Sequence, residues 1–333
     1  MKQILVVRRD NIGDLVCTTP MLTLLRQRYP DAEITLLACS YNAPILENCP
    51  DIDDLCFYVK AKHRGTRSRF SIYLERFRLL RRLRRKQIDL AILATPSPDR
   101  HGLKLARQAG AARIIGVDDG SLGIKDAVTP DSLEGLHQVE KICRIAGFKD
   151  KAIPALSLAA TPEEQQYARQ QLANSGATQL EQGIAAFHIS ARKACNQWPA
   201  EKFAELINAY RAGSDRPVML LWSPGSQHDP QHPGDDEKLE QLLQLTDQVD
   251  NIIPFRTENL RQLVGALSLA QIMVCSDGGA MHVASGLGVP VVALFGYPGA
   301  DQWRPWGQHR IMHKEPLTDL TSAEVLDAMQ QLA

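Results

Sequence analysis

The sequence predicts an α/β protein of two domains, each built on a parallel sheet. Three observations carry this. Short β-branched and apolar runs alternate with longer helical patterns, the signature of parallel α/β architecture. The same scheme runs through the first half of the chain and again through the second. At 333 residues the chain is also too long for one ordinary hydrophobic core. Two such domains facing each other place ligands in the cleft between them, at the carboxyl ends of the strands.

Taken in order, ILVV (4–7), EITLLA (33–38), LCFYV (55–59), LAILA (90–94) and RIIGV (113–117) read as buried strands of a first domain, residues 1–155. Residues 14–28 set Leu15, Thr18, Thr19, Leu22 and Leu25 along one helical face, and Thr19-Pro20 marks a kink or a break in it. Residues 156–182 read as a linker region with a helical piece at 162–173, opened by the capping sequence TPEE. A second domain, 183–333, carries strands IAAFHI (184–189), PVMLLW (217–222), QIMVC (271–275) and VVALFG (291–296). Helical segments around 200–211, 235–246, 259–269 and 279–287 separate them, and the last helix, from Ser322, is free to pack on either domain.

Composition narrows the function classes. An apolar share of 44% with 23% charged residues is that of a soluble globular protein, and no apolar run approaches the ~20 residues of a membrane span. Arg8 and Arg9 end the first apolar run too early for a secretory signal, so a cytoplasmic protein is expected. The seven cysteines are scattered without a CxxC pair, which suits reduced thiols. No metal-ligand spacing stands out, since Pro230 and Pro233 forbid a regular helix under His228 and His232. DID at 51–53 precedes a strand and reads as a turn. The zero net charge conceals an asymmetry: residues 1–150 hold 25 Lys/Arg against 18 Asp/Glu, a net +7, and residues 151–333 hold 13 against 20, a net −7. Either the first half meets something anionic, or the two halves are simply solvated differently.

Four stretches carry candidate chemistry. In RRDNIGDLVCTTP (8–20) the turn after the first strand, where a nucleotide-binding protein often has a glycine-rich loop, holds one glycine followed by Asp14. In SDGGAMHVASGLGVP (276–290), Gly278 and Gly279 clear side chains from a helix start whose free N–H groups suit a diphosphate. There Asp277 either caps the helix, orients the loop or accepts from a hydroxyl, and His282 is either structural or a phosphate donor. In HISARKACNQWP (188–199), Ser190, Arg192 and Lys193 make a phosphate clamp or an ordinary solvated loop. The long polar loop 222–238 ends in Asp235, Asp236 and Glu237, placed to cap a helix or to meet a ribose.

A basic run from Lys60 to Lys86 includes Arg64, Arg67 and Arg69, with Glu75 its only acid. Residues 69–86 read as a basic helix with an apolar face, directed at an anionic membrane surface, a phosphorylated acceptor or simply its own domain. Nucleic acid is the weakest of the possible targets, because the excess is local and no recognised binding motif accompanies it, and it is not expected as a partner.

Together, IGDLVCTTP (12–20), NQWPAEKFAEL (196–206), SDGGAMHVASGLGVPVVALFG (276–296) and DQWRPWG (301–307) resemble the family 9 glycosyltransferases, the heptosyltransferases of the bacterial lipopolysaccharide core. The likeness spans nearly the whole chain. It implies the GT-B fold, two Rossmann-like domains with acceptor on the first and nucleotide-sugar donor on the second. It further implies inverting, metal-independent transfer, usually from ADP-heptose, with no cofactor and with an anionic, lipid-linked saccharide acceptor at the inner membrane face. By position, Asp14 matches the proposed catalytic base and Asp277, Gly278, Gly279 and His282 the donor diphosphate loop. Glu237 matches an acid near the donor ribose. The acceptor is expected to be steered by the basic run through its charge, with Arg64, Arg67 and Arg69 as the candidate contacts.

Two departures touch the donor side. Many members have Lys where this chain has Asn196, so Lys193 or Arg192 is expected to replace that charge. Thr often follows the loop Asp where this chain has Gly278. The alternatives are a GT-B enzyme acting on another nucleotide sugar, by transfer or epimerisation, and a nucleotide-binding protein without catalysis.

Overall fold

The computed structural model describes residues 1–58, 69–229, 233–246 and 250–332. The chain divides into two compact units, Met1–Leu158 and Ala159–Ala333.

In the first unit the strands are β1 (Gln3–Val7), β2 (Glu33–Cys39), β3 (Asp54–Tyr58), β4 (Leu90–Leu93), β5 (Arg113–Val117) and β6 (Asp126–Val128). They pair in the order β3-β2-β1-β4-β5-β6, and every pair is parallel. Helices α1 (Ile12–Val16), α2 (Thr19–Arg28), α3 (Arg69–Arg85), α4 (Arg100–Ala109) and α5 (Gln138–Ile145) connect or cover them. The expected interruption near Thr19-Pro20 is a break: α1 ends at Val16, and Pro20 opens α2, where the missing N–H costs nothing.

The second unit begins with α6 (Pro162–Asn174) inside the segment expected as a linker region. Thr161 caps it, its Oγ1 accepting from the Glu164 backbone N–H while Glu164 reaches back to the Thr161 N–H. α6 belongs to this unit through Arg261, whose guanidinium bonds both Glu164 oxygens at 2.6 Å and the Ala159 carbonyl at 2.8 Å. β7 (Ile184–His188), α7 (Ala200–Ala212), β8 (Val218–Leu221), α8 (Asp236–Leu245), β9 (Ile252–Pro254), α9 (Leu260–Leu267), β10 (Ala270–Ser276), α10 (Gly279–Gly286), β11 (Val291–Phe295), α11 (Ala300–Trp303), β12 (His309–His313) and α12 (Ser322–Gln330) follow. The sheet order is β12-β11-β10-β7-β8-β9, again all parallel. Counted within its own unit, this is the order of the first sheet. Both are Rossmann orders, in which the chain reverses direction at one point between two central strands.

The edge strands β6, β9 and β12 escape the periodicity argument. DAV, IIP and HRIMH are short or polar, as edge strands are, and lack the apolar run that marks a buried strand. The last helix settles on its own unit: α12 packs against α7, and Val325, Ala328, Met329 and Leu332 join the core with Trp198 and Phe203.

Candidate functional site

Each sheet has its topological switch point between two central strands, β1 and β4 in the first unit and β7 and β10 in the second. Asp14 follows β1, Ser190 to Asn196 follow β7, and Asp277 to His282 follow β10, all at carboxyl ends of these strands, where open α/β sheets bind ligands, whereas Glu237 follows β8.

In the first unit Asp14 lies in α1, 8% exposed, with Asn11 as the N-cap residue. Its Oδ2 accepts from the Asn11 backbone N–H at 3.1 Å and from Asn11 Nδ2 at 3.0 Å. Its Oδ1 accepts from Arg8 Nη2 at 2.6 Å, which leaves that oxygen a further lone pair. Capping and a chemical role are therefore compatible in one carboxylate. Arg8 is completely buried, and its other terminal nitrogen donates to the Ala94 carbonyl at the end of β4. The guanidinium thus ties the β1 turn to the β4 turn across the switch point. Asp10 adds a second carboxylate, 3.5 Å from Arg8 Nε. Arg9 reaches Tyr58 Oη and Asp99, both at 2.7 Å, which ties the turn to β3 and to the start of α4.

In the second unit Asp277 follows β10. It is not the cap of α10: Gly278 holds that place, and the Asp277 carboxylate turns to three partners instead. Its Oδ2 accepts from Tyr297 Oη at 2.9 Å, Asn196 Nδ2 at 3.4 Å and Lys193 Nζ at 3.5 Å. The Lys193 ammonium also stands 4.0 Å from the Tyr297 ring centre, a cation–π distance. Burial works against the Lys193 charge, but Tyr297 and Asp277 outweigh it and hold its pKa above the usual lysine value. Burial, with Asp277 beside the ring, raises that of Tyr297.

Asn196, where the family resemblance leads to an expectation of lysine, is fully buried. Its Oδ1 accepts from the Gly296 backbone N–H at 3.0 Å while its amide donates to Asp277. It brackets the 188–199 loop to the ends of β10 and β11. Gly296 has to be glycine, since a Cβ there would overlap the Cys195 carbonyl oxygen. Lys193 and Arg192 are both exposed on this loop, and of the two Lys193 is the one drawn to Asp277.

The remaining candidates are engaged locally. Ser190 Oγ accepts from the Ser223 N–H at 2.8 Å, leaving its own proton to donate. Glu237 spends both oxygens on the loop before it, accepting from Ser226 Oγ at 2.7 Å and the Gln227 N–H at 3.0 Å. Those bonds, the Ser226 hydroxyl first, hold its pKa below the usual range. The capping expected of its neighbours is not made: the Asp235 side chain forms no cap bond, and Asp236 accepts from Trp222 Nε1 at 2.7 Å. His282 sits in the first turns of α10 but is only 2% exposed, its ring edge-on to Trp303 at 6.0 Å between centres. Gly278 is extended, and a Cβ there would meet nothing closer than the Ser276 carbonyl at 3.8 Å.

Three contributors lacked a sequence signal. Arg8 looked like one of two residues that end an apolar run, and Tyr297 like the residue after a strand. Lys238 is the third. Its Nζ donates at 2.7 Å to both the Ile189 and Trp198 carbonyls, closing the two ends of the 188–199 loop, and burial pushes its pKa down to about 8. A cavity of about 350 Å³ opens beside this loop, lined by Cys195, Gln197, Gly296 and Glu315–Thr318.

Of the basic run, Arg64 and Arg67 lie outside the described residues and Arg69 begins α3. Leu83 of α3 is buried, with Leu79 and Leu80 packed beside it. Arg82 bonds Asp54 at 2.8 Å, and Lys86, just beyond the helix, bonds Glu33 and Asp54 at 2.6 and 2.5 Å. Tyr73 and Phe77, one turn apart, face outward at 72% and 63% exposure. Among the described residues no helix is long and apolar enough to cross a membrane, and no group of three or more His, Cys, Asp or Glu is arranged to hold a metal ion.

Comparison with known proteins agrees with this architecture. Lipopolysaccharide heptosyltransferase 3 of Escherichia coli is 24% identical over 307 residues, 90% of this chain and 85% of that protein. The crystal structure of a family 9 glycosyl transferase from Veillonella parvula superposes with a TM-score of 0.84 at 20% identity, covering 99% of this chain and 97% of the other. The E. coli ADP-heptose lps heptosyltransferase II gives 0.79 at 22% identity, covering 100% and 98%. Both likenesses establish the fold, the two Rossmann-like units of the GT-B class. Residues 76–332 match the family described as glycosyltransferase family 9 (heptosyltransferase), and the chain is a glycosyltransferase of that family.

Proposed function

We propose that this glycosyltransferase moves a heptose, with inversion and without a metal ion, from ADP-heptose to a saccharide of the lipopolysaccharide core or a similar anionic acceptor. The observation that carries the reading is that Asp14 and the Asp277 cluster each occupy the switch point of their own Rossmann sheet. The relatives named for heptosyl transfer and ADP-heptose support the donor.

In this mechanism Asp14 Oδ1 takes the proton of an acceptor hydroxyl while that oxygen attacks the anomeric carbon and ADP leaves. Proton transfer falls late, once the forming bond has made the hydroxyl acidic. Arg8 and Asn11 keep the carboxylate from turning. Charge developing on the diphosphate is received by the free N–H groups at the start of α10 and by Lys193, in place of a metal. Asp277, Tyr297 and Asn196 position Lys193 and the loop rather than touching the sugar. The acceptor is lipid-linked, the protein cytoplasmic, and contact with the inner membrane face is made by Tyr73, Phe77 and the neighbouring arginines of α3.

Assay of Asp14→Asn with ADP-heptose and a heptose-accepting core saccharide tests the reading. Transfer is expected to fall about 10²–10⁴-fold with ADP binding intact, and near-normal transfer would remove the base. Activity abolished by EDTA and restored by a divalent ion would contradict metal independence.

A further inference from the structure

An open depression of about 510 Å³ lies in the first unit between α3 and α4, with none of the candidate residues described above in its wall. Four cations line it: Arg84 from α3, and Arg100, Lys104 and Arg107 from α4, with Leu103, Gln108, Ser121 and Leu122 completing the wall. Arg100, Lys104 and Arg107 recur at intervals of four and three, so they share one face of the helix. Like charges so spaced repel and destabilise an isolated helix. The usual remedy, an interleaved acid, is missing, since α4 reads RHGLKLARQA with no carboxylate at all. Among the described residues no Asp or Glu lies within 4.0 Å of the charged nitrogens of these four side chains. Their bonds go to carbonyls, Arg84 Nε to Gln108 at 2.7 Å and Arg107 Nη2 to Leu122 at 3.3 Å, which orient the guanidinium groups without neutralising them. Elsewhere in the same unit Arg82, Lys86, Arg9 and Arg113 all have carboxylates. Among the described residues Arg76, Arg78, Arg81 and Arg85 of α3 also have no carboxylate within 4.0 Å. Here, though, four cations line one depression with two of their guanidinium groups held in place. Such a concentration of unneutralised charge suits a ligand that supplies the missing charge.

We propose that the α3–α4 depression is a phosphate-binding site that takes the phosphoryl group of a phosphorylated saccharide. The three α4 cations extend over seven residues, roughly 10 Å at the helical rise, long enough for a phosphate and the sugar that carries it. Arginine forks suit the phosphate oxygens, and the Ser121 and Gln108 edge suits sugar hydroxyls. α4 starts directly after Asp99, the partner of Arg9, so the Arg100 end stands on the same edge of the sheet as Asp14. A saccharide held there by its phosphate extends toward the candidate base. That the saccharide is the acceptor rests on the proposed function; phosphate binding itself does not.

The test is calorimetric titration of the full chain, saturated with ADP to occupy the donor side, with inorganic pyrophosphate and with a hexose phosphate. Arg100→Gln with Lys104→Gln, both exposed positions, is expected to weaken binding of both probes about tenfold or more, and added salt to weaken the wild type. Arg107→Gln gives an independent second reading. A titration in which neither probe distinguishes wild type from these variants overturns the proposal. So does binding confined to phosphatidylglycerol vesicles with no response to the soluble phosphates, which would make the patch a lipid surface. A wrong donor reading shows separately, as no ADP binding alongside intact, variant-sensitive hexose phosphate binding.

Discussion

Arg8 Nη2 stands 2.6 Å from Asp14 Oδ1, with the guanidinium wholly buried and its opposite nitrogen on the Ala94 carbonyl. One side chain therefore fixes the carboxylate and joins the two turns that flank the switch point. Replacing Arg8 by Met strands a nearly buried carboxylate and frees the β4 turn. The expected loss is about 3–5 kcal/mol, the usual cost of breaking a buried pair from one side. Denaturant unfolding measures it, and a loss below about 1 kcal/mol would mean that water or Asn11 carries the charge instead.

Asn196 and Tyr297 both hold Asp277, but they fail differently. Asn196→Ala leaves the buried Gly296 N–H without its acceptor and is expected to cost about 1–3 kcal/mol of stability. Tyr297→Phe removes one hydroxyl from a half-buried ring and is expected to leave stability within about 1.5 kcal/mol. Its effect should appear in donor KM, because Lys193 loses a partner that holds it at Asp277. An unchanged KM with a reduced kcat would move Tyr297 from positioning to chemistry.

Gly278 and Gly296, which stand beside the Asp277 cluster, should respond in opposite ways. Gly278 is extended with room for a Cβ, so Gly278→Thr is expected to fold and to supply a hydroxyl at the N-cap of α10, stabilising by a few tenths of a kcal/mol. Gly296→Ala drives a methyl group into the Cys195 carbonyl and should open the 194–196 turn. Thermal unfolding of the two variants side by side tests this, and equal melting temperatures would contradict it.

Lys238 gives the pH dependence. Burial lowers its pKa to about 8 in the folded chain, while the unfolded chain keeps the ordinary lysine value. Between those values the unfolded state holds a proton that the folded state has released, so raising the pH through that window favours folding. Wild type should therefore gain stability relative to Lys238→Met as the pH rises from about 8 to 10. Urea unfolding at the two ends checks the sign. The variant should also raise donor KM, since the Ile189 and Trp198 carbonyls lose the clasp that closes the loop.

The sequence by itself determined the parallel α/β class, the central strands and the turns that carry Asp14, Asp277 and Lys193. Central strands of a parallel sheet are buried on both faces and must be apolar runs, so they announce themselves. Loops that follow them keep their glycines and charges in a readable order. Tertiary structure decided the rest. Edge strands β6, β9 and β12 exist because a neighbouring strand offers its hydrogen bonds, which no local pattern records. Asn196 looked like a lost lysine and became a buried bracket, and Asp277 looked like a cap and became an acceptor shared by three donors. Arg8, Tyr297 and Lys238 acquired their roles from partners 6, 20 and 40 or more residues away. The partners of a polar side chain are set by which strands lie side by side, and strand order is a property of the folded sheet rather than of any short stretch of chain.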